Sequence, residues 1–154
     1  MNATVAELLN DKAKQALQTV ASAPYSVAPD CKVANAVALM VEHKISSVVI
    51  KDNETMVGLI TLRELLKGIH LHGEKLTHAQ CREVMKANPP VAKLDDSVDH
   101  LRGLMTEHHI THVPVMNEDQ LVGILSFHDI ARSAIKDADF ENKLLKQYIR
   151  NWPE

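Results

Sequence analysis

The sequence predicts an α/β fold in which one βαββα unit is used twice, and three observations support this prediction. First, a single constant shift places Met56–Glu64 (MVGLITLRE) on Leu121–Asp129 (LVGILSFHD) without a gap. Second, each copy carries a helical pattern of apolar residues followed by two strand-like stretches rich in β-branched residues. Third, there are only two copies, with a period longer than that of solenoid repeats. The repeat therefore indicates two compact halves and not an open array.

Composition and charge argue against several classes of protein. The 45% hydrophobic fraction suits a packed globule, whereas a net charge of −3 gives no electrostatic reason to expect nucleic-acid binding. No apolar run approaches the roughly 20 residues that span a bilayer, and the N-terminus lacks the layout of a secretory signal. We therefore expect a cytoplasmic protein. Cys31 and Cys81 have no close spacing, so free thiols are expected.

The chain divides into five segments: a leading helix in residues 1–22, a first repeat in 23–70, a linker in 71–88, a second repeat in 89–135 and a C-terminal helix in 136–154. The leading helix begins at a capping box of Thr4 and Glu7. Its apolar face consists of Val5, Leu8, Leu9, Ala13, Ala16, Leu17 and Val20.

Each repeat predicts the same order of elements. In the first repeat we expect an extended piece between two prolines, a helix capped by Asp30, strands over 45–50 and 55–60, and a helix starting at Thr61. The second repeat predicts extended residues 90–93, a helix over 97–107, strands over 110–116 and 120–125, and a helix starting at Ser126. Residues 68–78 are predicted to be a loop that precedes a short helix.

The C-terminal segment carries a stripe of apolar residues at helical intervals, ended by Pro153. Its members are Phe140, Leu144, Leu145, Tyr148, Ile149 and Trp152. One interpretation is a helix that covers its own core. The other is an interface helix, because aromatic anchors are enriched where protein surfaces associate.

The two glycine segments carry the strongest functional signal. Each runs from Gly58 or Gly123 to a hydroxyl residue, Thr61 or Ser126, and then to a carboxylate three residues later, at the start of a helix. A helix N-terminus favours a phosphate, a hydroxyl donates to it, and a carboxylate accepts from the hydroxyls of a ribose. Glycine also permits close approach of a ligand. Alternatively, the hydroxyl and the carboxylate only cap the helix.

With these segments, and with ITHVPV at Ile110–Val115, the chain resembles the tandem cystathionine β-synthase (CBS) domain pair, also called a Bateman module. The resemblance covers about residues 20–135. It implies a regulatory, non-catalytic module whose two βαββα units pack sheet to sheet around two clefts. It also implies adenosine nucleotides as ligands, and dimers of two modules.

The resemblance assigns parts of both repeats to each cleft. The residues expected in one cleft are Ser126, Asp129, His112, Tyr25, Ile45 and Ser46. Those expected in the other are Thr61, Glu64, Ser47, Pro90, Ile110 and Thr111. The family position that binds ribose is most often aspartate. The family pattern therefore favours the Asp129 cleft over the Glu64 cleft.

Other chemistry finds little support in the sequence. No nucleophile and base stand at a recognisable spacing, so we expect no catalytic residues. The nine histidines provide no third metal ligand at a fixed spacing beside His70 and His72, so no metal site is expected.

We expect a stand-alone regulatory module that binds AMP, ADP or ATP without any required cofactor, forms a homodimer and signals to a separate effector protein. The alternative is a dimerisation scaffold with empty clefts, and an enzyme is a weaker third possibility.

Overall fold

The computed structural model describes residues 3–15 and 24–151, and it has the predicted architecture of two βαββα units. The first unit and its flanks consist of α1 (Val5–Gln15), β1 (Ser26–Val27), α2 (Val33–His43), β2 (Ser47–Asp52), β3 (Thr55–Thr61), α3 (Leu62–His72), a 3₁₀ helix (Gly73–His78), α4 (Cys81–Val84) and β4 (Lys86–Ala87). The second unit consists of β5 (Ala92–Lys93), α5 (Val98–His108), β6 (His112–Asn117), β7 (Gln120–Ser126) and α6 (Phe127–Arg150).

Each unit builds its own sheet around an antiparallel hairpin. In the first sheet β1 pairs in parallel with β2, β2 pairs with β3, and the short β4 adds a fourth strand beside β3. The second sheet has the order β5-β6-β7. Both hairpins shift register at matching positions, between Ile50 and Lys51 and between Val115 and Met116. The sequence repeat is therefore also a repeat in backbone geometry.

The two sheets pack face to face, as the family resemblance implied. A small buried cluster joins Val49 and Leu59 of the first sheet to Ile124 of the second. A larger apolar core lies on the other face of each sheet, under its own helices. Two half-cores thus share a central apolar layer, an arrangement that a single small unit could not provide for itself.

A short capping segment precedes each unit, and the segments are exchanged between the units. Residues 3–9 pack on the second unit, where Val5 N–H donates to the Asp96 carbonyl at 2.8 Å. Residues 79–85 pack on the first unit, where Cys81 N–H donates to the Cys31 carbonyl, also at 2.8 Å. The isolated bridges Thr4 to Ser97 and Lys32 to Gln80 repeat this correspondence. Each unit therefore depends on a segment that lies before the other one.

Three predictions about local structure are wrong. Asp30 does not cap α2, because the N-cap is Lys32, without a side-chain hydrogen bond. Residues 68–78 are not a loop, because α3 continues to His72 and the 3₁₀ helix follows, anchored by the buried Leu76. The C-terminal helix does not begin at residue 136, because α6 runs unbroken from Phe127 to Arg150. Residues 68–72, which extend α3, were predicted to be a loop because the segment is polar.

The C-terminal half of α6 is exposed along its length. Phe140 is 63% exposed and Tyr148 62%, so these aromatic side chains do not cover the core of their own chain. Ala16, Leu17, Val20, Trp152 and Pro153, which the predictions included, lie outside the described residues. Within the described ranges, no helix has both the length and the apolar character needed to cross a membrane.

Candidate functional site

Both glycine segments end in a complete capping box. Thr61 is the extended N-cap of α3, and its Oγ1 accepts a hydrogen bond from Arg63 N–H at 3.2 Å. Glu64 Oε1 accepts from Thr61 N–H at 3.0 Å and from the Thr61 hydroxyl at 2.8 Å. Such reciprocal bonds satisfy donors at the start of a helix that have no partner within it. One oxygen of Glu64 is thus committed to the cap.

The second copy has the same local geometry. Ser126 Oγ accepts from Asp129 N–H at 3.2 Å. Asp129 Oδ2 accepts from Ser126 N–H at 2.7 Å and from the Ser126 hydroxyl at 3.0 Å. Asp129 is 4% exposed and Glu64 7%. The capping alternative is therefore realised in both copies, and a ligand would meet two nearly buried carboxylates.

Asp129 has partners that Glu64 lacks within the described chain. Lys12 Nζ, from α1, lies 3.0 Å from Asp129 Oδ2 and donates to the Ile124 carbonyl at 2.7 Å. Arg132 Nη2 lies 3.4 Å from Asp129 Oδ1. Burial raises the pKa of Asp129, but the charge of Lys12 and the hydrogen bonds from Ser126 and Lys12 outweigh it. The net pKa therefore lies below its ordinary value of 3.8.

His112 connects the two repeats beside this carboxylate. Its Nε2 lies 3.0 Å from Ser46 Oγ in the first repeat, and its Nδ1 lies 2.9 Å from Thr111 Oγ1. Burial lowers the pKa of His112 from 6.5, the charge of Lys12 lowers it further, and Asp129 opposes the shift. A neutral imidazole held between two hydroxyls can accept or donate one hydrogen bond at each nitrogen.

The other residues expected in the Asp129 cleft have structural contacts of their own. Tyr25 stacks on His43 with ring centroids 4.0 Å apart, and its carbonyl accepts from Val49 N–H at 3.0 Å. Ile45 packs against the core of the first repeat. The structure thus brings His112 together with Ser46 and with the Asp129 region, while Tyr25 stays 43% exposed at the edge of the first sheet.

The Glu64 cleft is less connected. Ser47 pairs with Thr61 across the β2–β3 hairpin, as His112 pairs with Ser126 in the other repeat. Pro90 is half-buried. Ile110 packs against the core of the second repeat.

The hydroxyl of Thr111, which is expected in the Glu64 cleft, lies 2.9 Å from His112 Nδ1, a residue expected in the other cleft. Arg63 joins the two repeats, because its guanidinium donates a hydrogen bond to the His109 carbonyl.

Both glycines lie against side chains of the capping segments. A Cβ built on Gly123 would lie 2.6 Å from Leu9 Cδ1 of α1. A Cβ on Gly58 would overlap Met85 Sδ and lie 3.1 Å from the Lys86 carbonyl oxygen. Each glycine therefore admits the capping segment of its unit.

Sequence reasoning did not identify Leu9 and Met85 as neighbours of the two glycines, and it did not identify Lys12 at all. One signal could have found the two apolar residues: ATVAELL at 3–9 aligns with AQCREVM at 79–85, at a longer shift than the one that relates the repeats. Each segment has a glutamate at the matching position, Glu7 or Glu83, which accepts a hydrogen bond from the backbone N–H three residues earlier. Lys12 lies four residues after Leu8, on the side of α1 that packs on the second repeat, but no sequence pattern identified Asp129 as its partner.

Metal and thiol chemistry have limited support in the structure. In residues 3–15 and 24–151, no group of three or more metal-binding side chains could hold an ion. His70 and His72 lie on α3 and not on an extended strand. Cys31 and Cys81 are free thiols in adjacent segments, although they are distant in the sequence. Burial and the nearby Cys31 raise the pKa of Cys81 to about 11.

Comparison with known proteins agrees with this geometry. The CBS domain model matches residues 17–71 and 81–136. A mitochondrial CBS domain-containing protein from Arabidopsis thaliana, CBSX3, is 25% identical over 126 residues, which are 79% of this chain and 61% of that protein. The chain thus spans about three-fifths of that relative's length.

Solved structures share the fold over most of the chain. A protein with CBS domains from Burkholderia ambifaria has a TM-score of 0.78 and 29% identity, covering 88% of this chain and 96% of its own. The CBS domain pair of protein MJ0100, solved with 5′-methylthioadenosine and S-adenosyl-L-methionine, has a TM-score of 0.65 and 26% identity, covering 73% of this chain and 92% of its own. From its repeat, its fold and these matches, the chain belongs to the CBS domain family and contains a tandem pair of such domains.

Proposed function

We propose that this CBS pair is a regulatory module of the cytoplasm that binds an adenosine-containing nucleotide of the AMP, ADP or ATP type and signals its presence to an effector protein. The main support is the pair of nearly buried carboxylates, each three residues after a hydroxyl at a helix N-terminus. In this setting the carboxylate accepts from ribose hydroxyls, while the helix N-terminus and the hydroxyl face a phosphate. The adenosine compounds bound by the MJ0100 pair support the same ligand class.

The proposal gives each residue a role. Asp129 and Glu64 accept from the sugar, and the hydroxyls of Ser126 and Thr61 turn from these carboxylates to donate to phosphate. The remaining contacts come from the residues assigned to the walls, which are His112, Tyr25, Ile45 and Ser46 in one cleft and Ser47, Pro90, Ile110 and Thr111 in the other. No step of bond making or breaking is required of any of them, so the module acts as a sensor and not as an enzyme.

A thermal-shift panel of AMP, ADP, ATP, S-adenosylmethionine and 5′-methylthioadenosine tests the proposal. A ligand at one hundred times its dissociation constant adds roughly 2.7 kcal/mol to stability, which raises the melting temperature by several degrees in a chain of this size. The variant with both Glu64→Ala and Asp129→Ala should lose the shift. The matched control Glu54→Gln, at an exposed turn outside both clefts, should keep it.

A second candidate function, a dimerisation scaffold, is favoured by the exposed half of α6. Its exposed apolar side chains are Ile135, Phe140, Leu144, Leu145, Tyr148 and Ile149. Along the same stretch, acidic residues at 137, 139 and 141 are followed by basic residues at 143, 146 and 150. Two copies in antiparallel contact would place the acidic stretch of each helix beside the basic stretch of the other.

The two functions are compatible, and we propose a homodimer in which this half of α6 contributes to the interface. Light scattering should give the mass of a dimer for the full chain and of a monomer for a chain ending at Lys136. Leu144→Asp should weaken the dimer, and Glu54→Gln, at an exposed turn away from this helix, should not. A full chain of monomer mass would contradict the dimer. A dimer that survives truncation would place the interface elsewhere, for example at the exposed Leu62, Leu66 and Ile69 of α3.

A further inference from the structure

The two carboxylates differ in the number of acceptor sites that the chain leaves open. Asp129 Oδ2 receives three donors, from the Ser126 backbone, the Ser126 hydroxyl and Lys12, and Oδ1 receives Arg132. Glu64 Oε1 receives the two donors of Thr61, and within the described chain no donor is recorded at Oε2. A sugar hydroxyl therefore meets one oxygen without a donor from the described chain at Glu64, whereas both oxygens of Asp129 already have donors.

The difference arises from the capping segments. The stretch that leads from Leu9 to Pro24, where the first repeat begins, is longer than the matching stretch from Met85 to Pro89. After Met85 the chain turns into β4 and pairs with β3. After Leu9, in contrast, α1 continues to Gln15, and this extra helical length carries Lys12 to Asp129.

Lys12 is held there by two acceptors. Its second bond, to the Ile124 carbonyl, occupies a backbone oxygen on β7, which is an edge strand among residues 3–15 and 24–151. Leu8 and Leu9 fix the same helix by packing on the core of the second repeat and against Gly123. The Lys12 ammonium group has two acceptors and is carried by a helix that is packed in place. It therefore differs from an isolated ion pair on the surface, whose contribution to stability is usually small.

We propose that Lys12 determines which cleft takes ligand: it occupies the carboxylate of the Asp129 cleft, so that a nucleoside sugar binds first in the Glu64 cleft. The inference rests on the proposed function, and it reverses the order that the family pattern favours. Binding at Asp129 requires the Lys12 contact to open, so occupancy of this cleft depends on the position of α1. The charged groups around the contact are Asp11, Arg132 and Lys136, with His112 beyond Asp129.

Calorimetry with the nucleotide selected by the thermal-shift panel tests the assignment. With Lys12 in place, Glu64→Ala should abolish binding and Asp129→Ala should leave binding nearly unchanged. Lys12→Met should add a second site that Asp129→Ala removes, whereas Lys14→Met, an exposed lysine on the same helix, should add none. Wild-type binding that depends on Asp129 and not on Glu64 would overturn the proposal, as would a Lys12→Met protein that gains no site.

A measurement without ligand separates this inference from the proposed function. If no nucleotide binds any variant, the proposed function fails, and carboxyl-carbon NMR then decides whether Lys12 holds Asp129. The pKa of Asp129 should rise in Lys12→Met and stay unchanged in Lys14→Met, with circular dichroism confirming that both variants are folded. An Asp129 pKa that does not respond to Lys12→Met would overturn the contact itself.

Discussion

The two repeats have the same backbone plan, yet they place the same motif in different surroundings. Their hairpins, register shifts and capping boxes all match under the one shift that lays Gly58 on Gly123. They differ in what reaches the carboxylate: an ammonium group from α1 at Asp129, and no second donor segment within the described chain at Glu64. The comparison shows that duplicated units can diverge in their clefts through segments that lie outside the repeat, while the repeat itself stays unchanged.

The strongest effect should come from the two cores and tests whether they are equivalent. Ile60 and Leu125 occupy matching positions, and both side chains are fully buried. Ile60→Ala and Leu125→Ala should each lower the free energy of unfolding by about 2 to 5 kcal/mol, because each leaves a cavity in close-packed surroundings. Urea denaturation measures both values. A loss confined to one variant would show that the halves do not contribute equally to one cooperative unit.

The next effect concerns the contacts between the glycines and the capping segments. Gly58→Ala and Gly123→Ala should each destabilise the protein by about 1 to 3 kcal/mol, since the added methyl group would overlap a packed side chain. Gly58→Ala should cost more, because the carbonyl oxygen of Lys86 also lies close and cannot rotate away. Chemical denaturation of both variants tests this order, with Gly103→Ala, which meets no neighbour, as the control.

A third effect distinguishes the repeats by pH. The pKa of His112 is lowered in the folded chain from 6.5, so the unfolded chain takes up the proton first. Stability should therefore fall as the pH drops below 6.5, and the loss should be complete below the folded pKa. His112→Ser, which installs the residue of the first repeat, Ser47, should reduce this dependence. Denaturation curves between about pH 7.5 and about 5.5 measure it. An unchanged slope in the variant would contradict the assignment.

The weakest effect compares the hairpin turns. Asn53 and Glu118 occupy matching positions with φ of 56° and 57°, a left-handed conformation that asparagine adopts more readily than glutamate. Glu118→Asn should therefore stabilise the protein by roughly 0.5 kcal/mol, while Asn53→Glu should destabilise it by a similar amount. Thermal melting of the two variants should give shifts of opposite sign. Shifts of the same sign would indicate that the turn backbone is not the cause.

Much of the fold could be predicted from residue patterns because its determinants are local. The repeat, the β-branched strands and the hydroxyl and carboxylate spacing predicted both hairpins, both capping boxes and the helices that follow them. Predictions failed where a buried anchor overruled local composition, as Leu76 does in the stretch taken for a loop. They also failed in α6, which continues beyond residue 135 because no helix-breaking residue stands there.

Residue patterns were sufficient to predict that a βαββα unit occurs twice, that each copy places a carboxylate at a helix N-terminus, and that the ends of the chain carry apolar helical faces, while the resemblance implied that the two units pack together. Folding in three dimensions was needed to reveal the exchange of the capping segments, the bond from Ser46 to His112 and the contact of Lys12 with Asp129. These contacts join residues that lie far apart in the sequence. Periodicity and spacing report the neighbours of a residue along its own helix or strand, whereas the partners of a buried charge depend on how distant segments pack.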